Sequence, residues 1–118
     1  MEVNPLIFRE YDIRGVVDRD LTPAVVRRLG QGFGTQMVRL GQSHLTVGRD
    51  GRLSSKTFAD ALIEGLISTG CDVLDLGLCP TPVYYFSLFH FDRDGGMMVT
   101  GSHNPPEFNG FKVSVGKT

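Results

Sequence analysis

The chain has 118 residues, 41% of them hydrophobic, with 12 Lys and Arg against 13 Asp and Glu and a formal net charge of −1. That length suits one ordinary domain with its own core, needing neither disulfides nor a structural metal. Basic residues are dispersed along it, which excludes the electrostatic footprint of a nucleic-acid binder or a protein held to acidic membranes. No apolar run approaches the ~18 residues of a membrane span. The amino terminus lacks the basic and apolar regions of a secretion signal. A cytoplasmic location is therefore expected. The spacing of Cys71 and Cys79 is neither CxxC nor that of a zinc site, so both are expected to be reduced packing residues.

Strand and helix signals alternate along the chain. Leu6-Ile-Phe8 reads as the start of an extended segment and Gly15-Val-Val17 as a second short one. Thr22 is placed to cap a helix with Pro23 at its first position. Val26, Leu29, Phe33, Met37 and Leu40 then recur at three- and four-residue steps, one buried stripe, and Gly41 stops the helix. Inside it, Gly30-Gln-Gly-Phe-Gly34 is not a dinucleotide fingerprint. Thr35 stands at the third glycine of GxGxxG, and the run does not open a helix after a strand. Gly30 and Gly34 are expected to let this helix pack closely on a sheet.

Residues 44–50 read as a strand running into a loop. Ser54 or Ser55 caps a second helix carrying Phe58, Leu62, Ile63, Leu66 and Ile67, closed by Gly70. Residues 72–77 form the next strand. Thr81-Pro82 opens a third helix through Tyr84, Phe86, Leu88 and Phe89. Gly96-Met-Met-Val99 and residues 110–115 are the last strands. Helical crossovers between apolar strands imply βαβ units and a mainly parallel sheet covered on both faces. The last connection is too short for a helical crossover, so the final strand is expected to be antiparallel. The chain stops just after that strand, which suggests a piece of something longer.

Chemistry-bearing residues gather in three segments past strand ends: residues 48–52, 77–82 and 100–105. In open α/β sheets ligands bind beyond the carboxyl ends of the strands. Each loop alone is ordinary, since such turns commonly contain Gly, Asp and Pro. The third stands apart. In Thr100-Gly-Ser-His-Asn-Pro-Pro-Glu-Phe-Asn-Gly-Phe-Lys112, a serine leaves an apolar strand into a stiff turn, and a lysine follows. Such a turn presents a hydroxyl with outward backbone N–H groups around it, suited to handling a phosphoryl group. Ser102 is the leading candidate for the centre of the chemistry.

Ser102 and His103 do not read as a hydrolase pair. Adjacent side chains in an extended turn diverge, and Asn104 stands where the second glycine of a GxSxG elbow belongs. His103 fits better as a donor to the loop or to a phosphoryl oxygen. Arg9, Glu10, Asp12 and Arg14, near the amino terminus, could alone be a solvated face with weak ion pairs.

These segments together resemble the first domain of the α-D-phosphohexomutases, and most strongly their bacterial phosphomannomutase/phosphoglucomutase branch. Phe8-Arg-Glu-Tyr-Asp-Ile-Arg-Gly15 is similar to that branch's opening signature. Thr100-Gly-Ser-His-Asn-Pro105 resembles the family's phosphoserine loop, with Gly101 where alanine is common, and Asn109-Gly-Phe-Lys112 resembles the NGxK that follows. Gly48-Arg-Asp50 and Thr81-Pro82 also have counterparts.

The resemblance implies a three-layer α/β/α domain, with a mixed, mainly parallel four-stranded core sheet whose last strand is antiparallel. Residues 1–118 would be domain I, the phosphoserine domain, of an enzyme whose other domains lie outside this chain. The implied activity is that of an isomerase and intramolecular phosphotransferase. It interconverts hexose 1-phosphate and 6-phosphate of mannose or glucose through a hexose 1,6-bisphosphate. By the same resemblance, Ser102 is the phosphoserine, and Lys112, Arg14 and His103 are catalytic. Tyr11, Arg14, Ser102, Asn104 and Lys112 bind substrate. Mg2+ is the implied cofactor, with a phosphoryl oxygen on Ser102 as one ligand and the carboxylate ligands in another domain. Implied partners are the hexose phosphate and the other domains, with no nucleic acid and no membrane. The alternative is a non-catalytic phosphate- or sugar-phosphate-binding module of the same fold.

Overall fold

The structure, a computed structural model, describes residues 3–7 and 12–117. A 3-10 turn, Pro5–Ile7, precedes strand β1 (Asp12–Val16). Then follow α1 (Pro23–Arg39), β2 (His44–Arg49), α2 (Ser55–Ser68), β3 (Asp72–Leu78), α3 (Thr81–His90), β4 (Gly95–Val99) and β5 (Phe108–Val115). The turn replaces the extended segment expected at Leu6. There the Asn4 side chain accepts from the Leu6 amide at 3.0 Å and its carbonyl accepts from Ile7 at 3.2 Å, so local bonds curl the backbone.

All five strands form one sheet in the order β1-β5-β4-β2-β3. β2 pairs in parallel with β3 and β4, whereas β5 runs antiparallel to both β4 and β1. Four strands therefore share one direction and β5 alone opposes them. β2 to β5 are the expected core, and β1 adds a fifth strand. β5 hydrogen-bonds on both sides, so β1 takes the edge that a four-stranded sheet would have left open.

Strand alternation sorts the side chains into two faces. Leu45, Val47, Met97, Val99 and Phe111 join Val26, Met37, Phe58, Leu62 and Leu66 in the main core beneath α1 and α2. Met98 points the other way, against Tyr84 and Leu88 of α3, with Leu76 and Cys79 alongside. The layers are thus α1/α2, sheet, α3. Thr22 caps α1, its hydroxyl accepting from the Val25 amide at 3.2 Å, with Pro23 at the first position. Gly30 and Gly34 lie buried on α1, but they admit α2 and its C-terminal turn, not the sheet. A Cβ at Gly30 would stand 2.6 Å from the Leu62 carbonyl oxygen, and one at Gly65 would stand 2.2 Å from that of Arg27. The two helices touch backbone to backbone. On α3 the sheet-facing residues are Tyr84, Ser87 and Leu88, so Phe86 and Phe89 remain exposed. Cys71 and Cys79 are both free thiols.

Candidate functional site

The parallel strands β2, β3 and β4 deliver their following loops to one edge of the sheet, where a cleft of about 530 Å³ opens. The β2–α2 loop contributes Asp50 to its wall, and the β3–α3 connection contributes Cys79, Pro80 and Thr81. The β4–β5 loop adds Thr100, Ser102 and His103, and the strands supply Met98 and Lys112. Lys112 lies on β5 directly between Met98 of β4 and Asp12 of β1. α3 covers Met98 but not the β1–β5 side of this face, which carries Asp12, Arg14 and Lys112. The amino end of α3 also lies at the cleft, but it offers few free donors, since Pro82 has no N–H and the Val83 and Tyr84 amides both donate to the Pro80 carbonyl, at 3.0 and 3.4 Å.

Ser102 has φ +54°, the left-handed region that a side chain rarely adopts. The surrounding bonds impose this shape. The Ser102 amide donates to the Thr100 hydroxyl at 3.0 Å, the Gly101 amide to Asp50 Oδ2 at 3.1 Å, and the Asn104 amide to the Gly101 carbonyl at 3.0 Å. Three loop amides are therefore engaged inside the protein. The expectation of outward N–H groups around the hydroxyl fails at these positions, because a turn this tight consumes its own donors. Positive charge for an anion comes instead from side chains, with Lys112 in the cleft wall.

Asp50 anchors the loop. Its carboxylate accepts from the Ser55 hydroxyl, from the Arg52 amide at 3.1 Å and from Gly101, and its Oδ2 lies 3.4 Å from Arg52 Nε. Burial pushes the Asp50 carboxyl up. The bonds from Ser55, the Arg52 amide, Thr100 and Gly101 outweigh that and hold it below its ordinary value. An ionised carboxylate with its oxygens so committed is a structural anchor and a poor proton acceptor. Cys79, the other nucleophile type in the cleft, has its thiol pushed up by burial, which keeps it protonated and inert.

The structure brings Ser102, His103 and Lys112 together in the cleft wall. Arg14 lies outside that lining, on the neighbouring strand, with Nε 2.9 Å and Nη2 2.8 Å from Asp12 Oδ2. Asn104 is turned into the loop, its side-chain amide donating to the Gly101 carbonyl at 3.0 Å. Tyr11 lies outside the described residues, as do Phe8, Arg9 and Glu10. Among the described residues no three His, Cys, Asp or Glu side chains gather as a cation site. A second cleft, of about 490 Å³, lies behind the serine loop between Val17, Leu53 and Pro106. Its lining is mainly apolar, and its one serine, Ser54, is hydrogen-bonded to Asn109.

Sequence reasoning missed the contribution of Arg52. Its Nη2 donates to the carbonyls of Ser102 (3.0 Å) and Asn104 (2.7 Å), and its Nη1 to those of Pro105 (2.7 Å) and Phe108 (3.2 Å). The guanidinium fills the space where a Cβ on Gly101 would stand, 2.2 Å from Arg52 Cζ. An alanine there obliges the arginine to shift, so the glycine is not a neutral replacement locally. The only sequence signal was an arginine two residues past Asp50, the residue that follows β2.

The fold and cleft define an α/β/α domain carrying a serine loop at the carboxyl edge of its parallel strands. Residues 5–117 match the family described as "Phosphoglucomutase/phosphomannomutase, alpha/beta/alpha domain I". A "Phosphomannomutase/phosphoglucomutase" of Pseudomonas aeruginosa is 47% identical over 109 residues, covering 92% of this chain and 24% of that protein. A "Phosphoglucomutase/phosphomannomutase" of Thermococcus kodakarensis is 45% identical over 109 residues, covering 91% and 24%. A crystal structure of a phosphoglucomutase/phosphomannomutase family protein from Burkholderia thailandensis superposes with a TM-score of 0.91 at 42% identity, over 97% of this chain and 27% of that one. The chain belongs to the phosphoglucomutase/phosphomannomutase family. It spans about a quarter of the length of these relatives.

Proposed function

We propose that this chain is the phosphoserine domain of a hexose-phosphate mutase. The supporting observation is the convergence of Ser102, His103 and Lys112 on one cleft, in a domain whose relatives are named for that reaction. In this reading Ser102 carries a phosphoryl group. The bond from its Oγ to phosphorus breaks as a sugar hydroxyl oxygen bonds to phosphorus. The hydroxyl proton passes to the neutral amine of Lys112, Ser102 Oγ takes up a proton as it leaves phosphorus, and a hexose 1,6-bisphosphate forms. The bisphosphate reorients and returns its other phosphoryl group to Ser102, regenerating the enzyme with the isomeric monophosphate. Phosphoryl transfer spreads negative charge over the oxygens in flight, so catalysis is mostly positioning and cationic stabilisation.

Lys112, in the cleft wall, is assigned the proton at the sugar hydroxyl. Arg14, permanently charged and held by Asp12, is assigned to charge stabilisation beside it. His103, exposed on the loop, donates to a phosphoryl oxygen, and Tyr11 contacts the sugar. Asn104 supports the loop from within. Magnesium is the cation the family implies, but the described residues do not themselves form a site for it. Its ligands are assigned to a phosphoryl oxygen on Ser102 and to groups outside this chain. Those outside parts also decide between mannose and glucose, and the 118 residues alone are expected to show no turnover.

The test uses the intact polypeptide that carries this domain. After incubation with hexose 1,6-bisphosphate, mass spectrometry is expected to find phosphate on Ser102, and Ser102→Ala is expected to abolish turnover. Phosphate on Ser54 or Ser114 instead, or full activity in Ser102→Ala, overturns the reading.

A further inference from the structure

We propose that Arg52 is the positioning residue of the serine loop, holding Ser102 in the shape that presents its hydroxyl to the cleft. The inference rests on the phosphoserine reading and adds the device that makes it geometrically possible. Four carbonyl oxygens, from Ser102, Asn104, Pro105 and Phe108, converge on one guanidinium supplied by a different loop. Carbonyls of a single turn repel one another when they point inward, and only a planar fork of several donors satisfies such a fan. The guanidinium's third edge faces Asp50, which in turn holds the Gly101 amide. Arg52 and Asp50 together thus grip the loop by its acceptors and one of its donors.

Four further observations separate this role from that of an ordinary surface arginine. The Arg52 side chain is 18% exposed, so water competes weakly for its bonds. It does not line the Ser102 cleft but lies behind the loop, in the wall of the second one, so it acts on the serine and not on a bound sugar. Its guanidinium occupies space that a Cβ on residue 101 would crowd. The strained residue it holds by the carbonyl is Ser102 itself, at φ +54°. Released from this grip, the serine relaxes toward ordinary backbone angles and its oxygen leaves the line of transfer.

The experiment compares Arg52→Ala, Arg52→Lys and Ser102→Ala in the intact polypeptide, with kcat and KM measured separately and amide exchange followed at Asn104. Arg52→Ala is expected to lower kcat roughly 10²-fold, the scale of a misplaced reacting group, with KM little changed. Arg52→Lys keeps the charge and loses the fork, and is expected to retain most of that loss. The Asn104 amide, which donates within the loop, is expected to exchange faster in both variants. Added guanidinium is expected to recover part of the activity of Arg52→Ala.

A lysine variant with wild-type kcat and exchange overturns the proposal, and that variant decides alone if the alanine one does not fold. A raised KM at unchanged kcat also overturns it, because that result places Arg52 on the substrate. An inactive Ser102→Ala beside a fully active Arg52→Ala sinks the positioning role and spares the phosphoserine. An active Ser102→Ala sinks the phosphoserine reading, while amide exchange still reports whether Arg52 holds the loop.

Discussion

Arg52 and Arg93 sit at opposite ends of the parallel strands, and each finishes against carbonyl oxygens. Arg93 Nη2 donates to the Leu45 carbonyl at 2.7 Å, to the Asp72 carbonyl at 3.0 Å and to Asp72 Oδ1 at 3.0 Å. It ties together the amino ends of β2 and β3 just before β4 begins. Asp94 reinforces the same corner, its Oδ2 accepting from the His44 amide at 3.0 Å and its own amide donating to the His44 carbonyl at 2.7 Å. Those strands already have ladder partners, so Arg93 adds stability to backbone that is ordered without it. Arg52 meets a loop with no ladder of its own and supplies the order directly. The same donor chemistry is thus structural at one end and, in our reading, part of the catalytic apparatus at the other.

The most severe test of this contrast at the loop end lies in the cleft itself. Lys112→Ala in the intact polypeptide is expected to lower kcat by roughly 10²–10⁴-fold, the usual worth of a positioned proton-transfer group. Lys112 is only half buried on β5, and among the described residues it makes no ion pair, so its melting temperature is expected to stay near that of the wild type. Unchanged turnover removes Lys112 from the chemistry. An equal loss of activity and stability assigns it to the scaffold, erasing the distinction between the two ends.

Arg93→Ala probes the other end and is expected to do the reverse. Loss of three hydrogen bonds from a side chain that is 13% exposed is expected to cost about 1–2 kcal/mol of stability. The bond to Asp72 contributes least, since that carboxylate is 62% exposed and screened by water. Denaturant unfolding reads the loss directly. At temperatures where the variant stays folded, kcat is expected to match the wild type. A tenfold fall in kcat there contradicts the contrast.

What could be read in advance divides along the same line between local and distant causes. Thr22-Pro23 marked the start of α1 because capping is a contact across three residues. The short connection after Val99 marked β5 as antiparallel because chain length alone forbids a helical crossover. Ser102, His103 and Lys112 lie close in sequence, and a recognisable motif carries all three. Arg52 reaches the Ser102 carbonyl across 50 residues, and nothing local to either segment announces the bond. The glycines of α1 failed in a related way, since helical spacing identifies a face but not whether a sheet or a second helix will cover it. Tyr84, Phe86, Leu88 and Phe89 were all legible as residues of a third helix, but not which of them face the sheet. The sheet accepts only one stripe of α3, and Phe86 and Phe89 fall outside it.

Asp20 offers the finest discrimination, because it lies near the same edge as the serine loop yet is tied only to its own turn and to Asn4 ahead of β1. It closes the connection from β1 to α1, its side chain accepting from the Val16 amide at 2.9 Å, from the Asn4 side chain at 2.9 Å and from Arg19 at 3.0 Å. The bond from Arg19, then those from Val16 and Asn4, hold the Asp20 carboxyl well below the usual carboxylate range, against a smaller upward push from burial. A carboxyl depressed in the folded state stabilises the protein at pH values above its unfolded pKa of about 4. That contribution is lost as the pH falls from there toward the folded value. Asp20→Asn is therefore expected to melt below the wild type at pH 7, with the gap narrowing steadily below about pH 4. A gap that stays constant or widens on acidification contradicts the assignment. The kcat of the variant at neutral pH is expected to be unchanged. A loss there couples the β1–α1 turn to the serine loop, to which no hydrogen bond of Asp20 among the described residues runs.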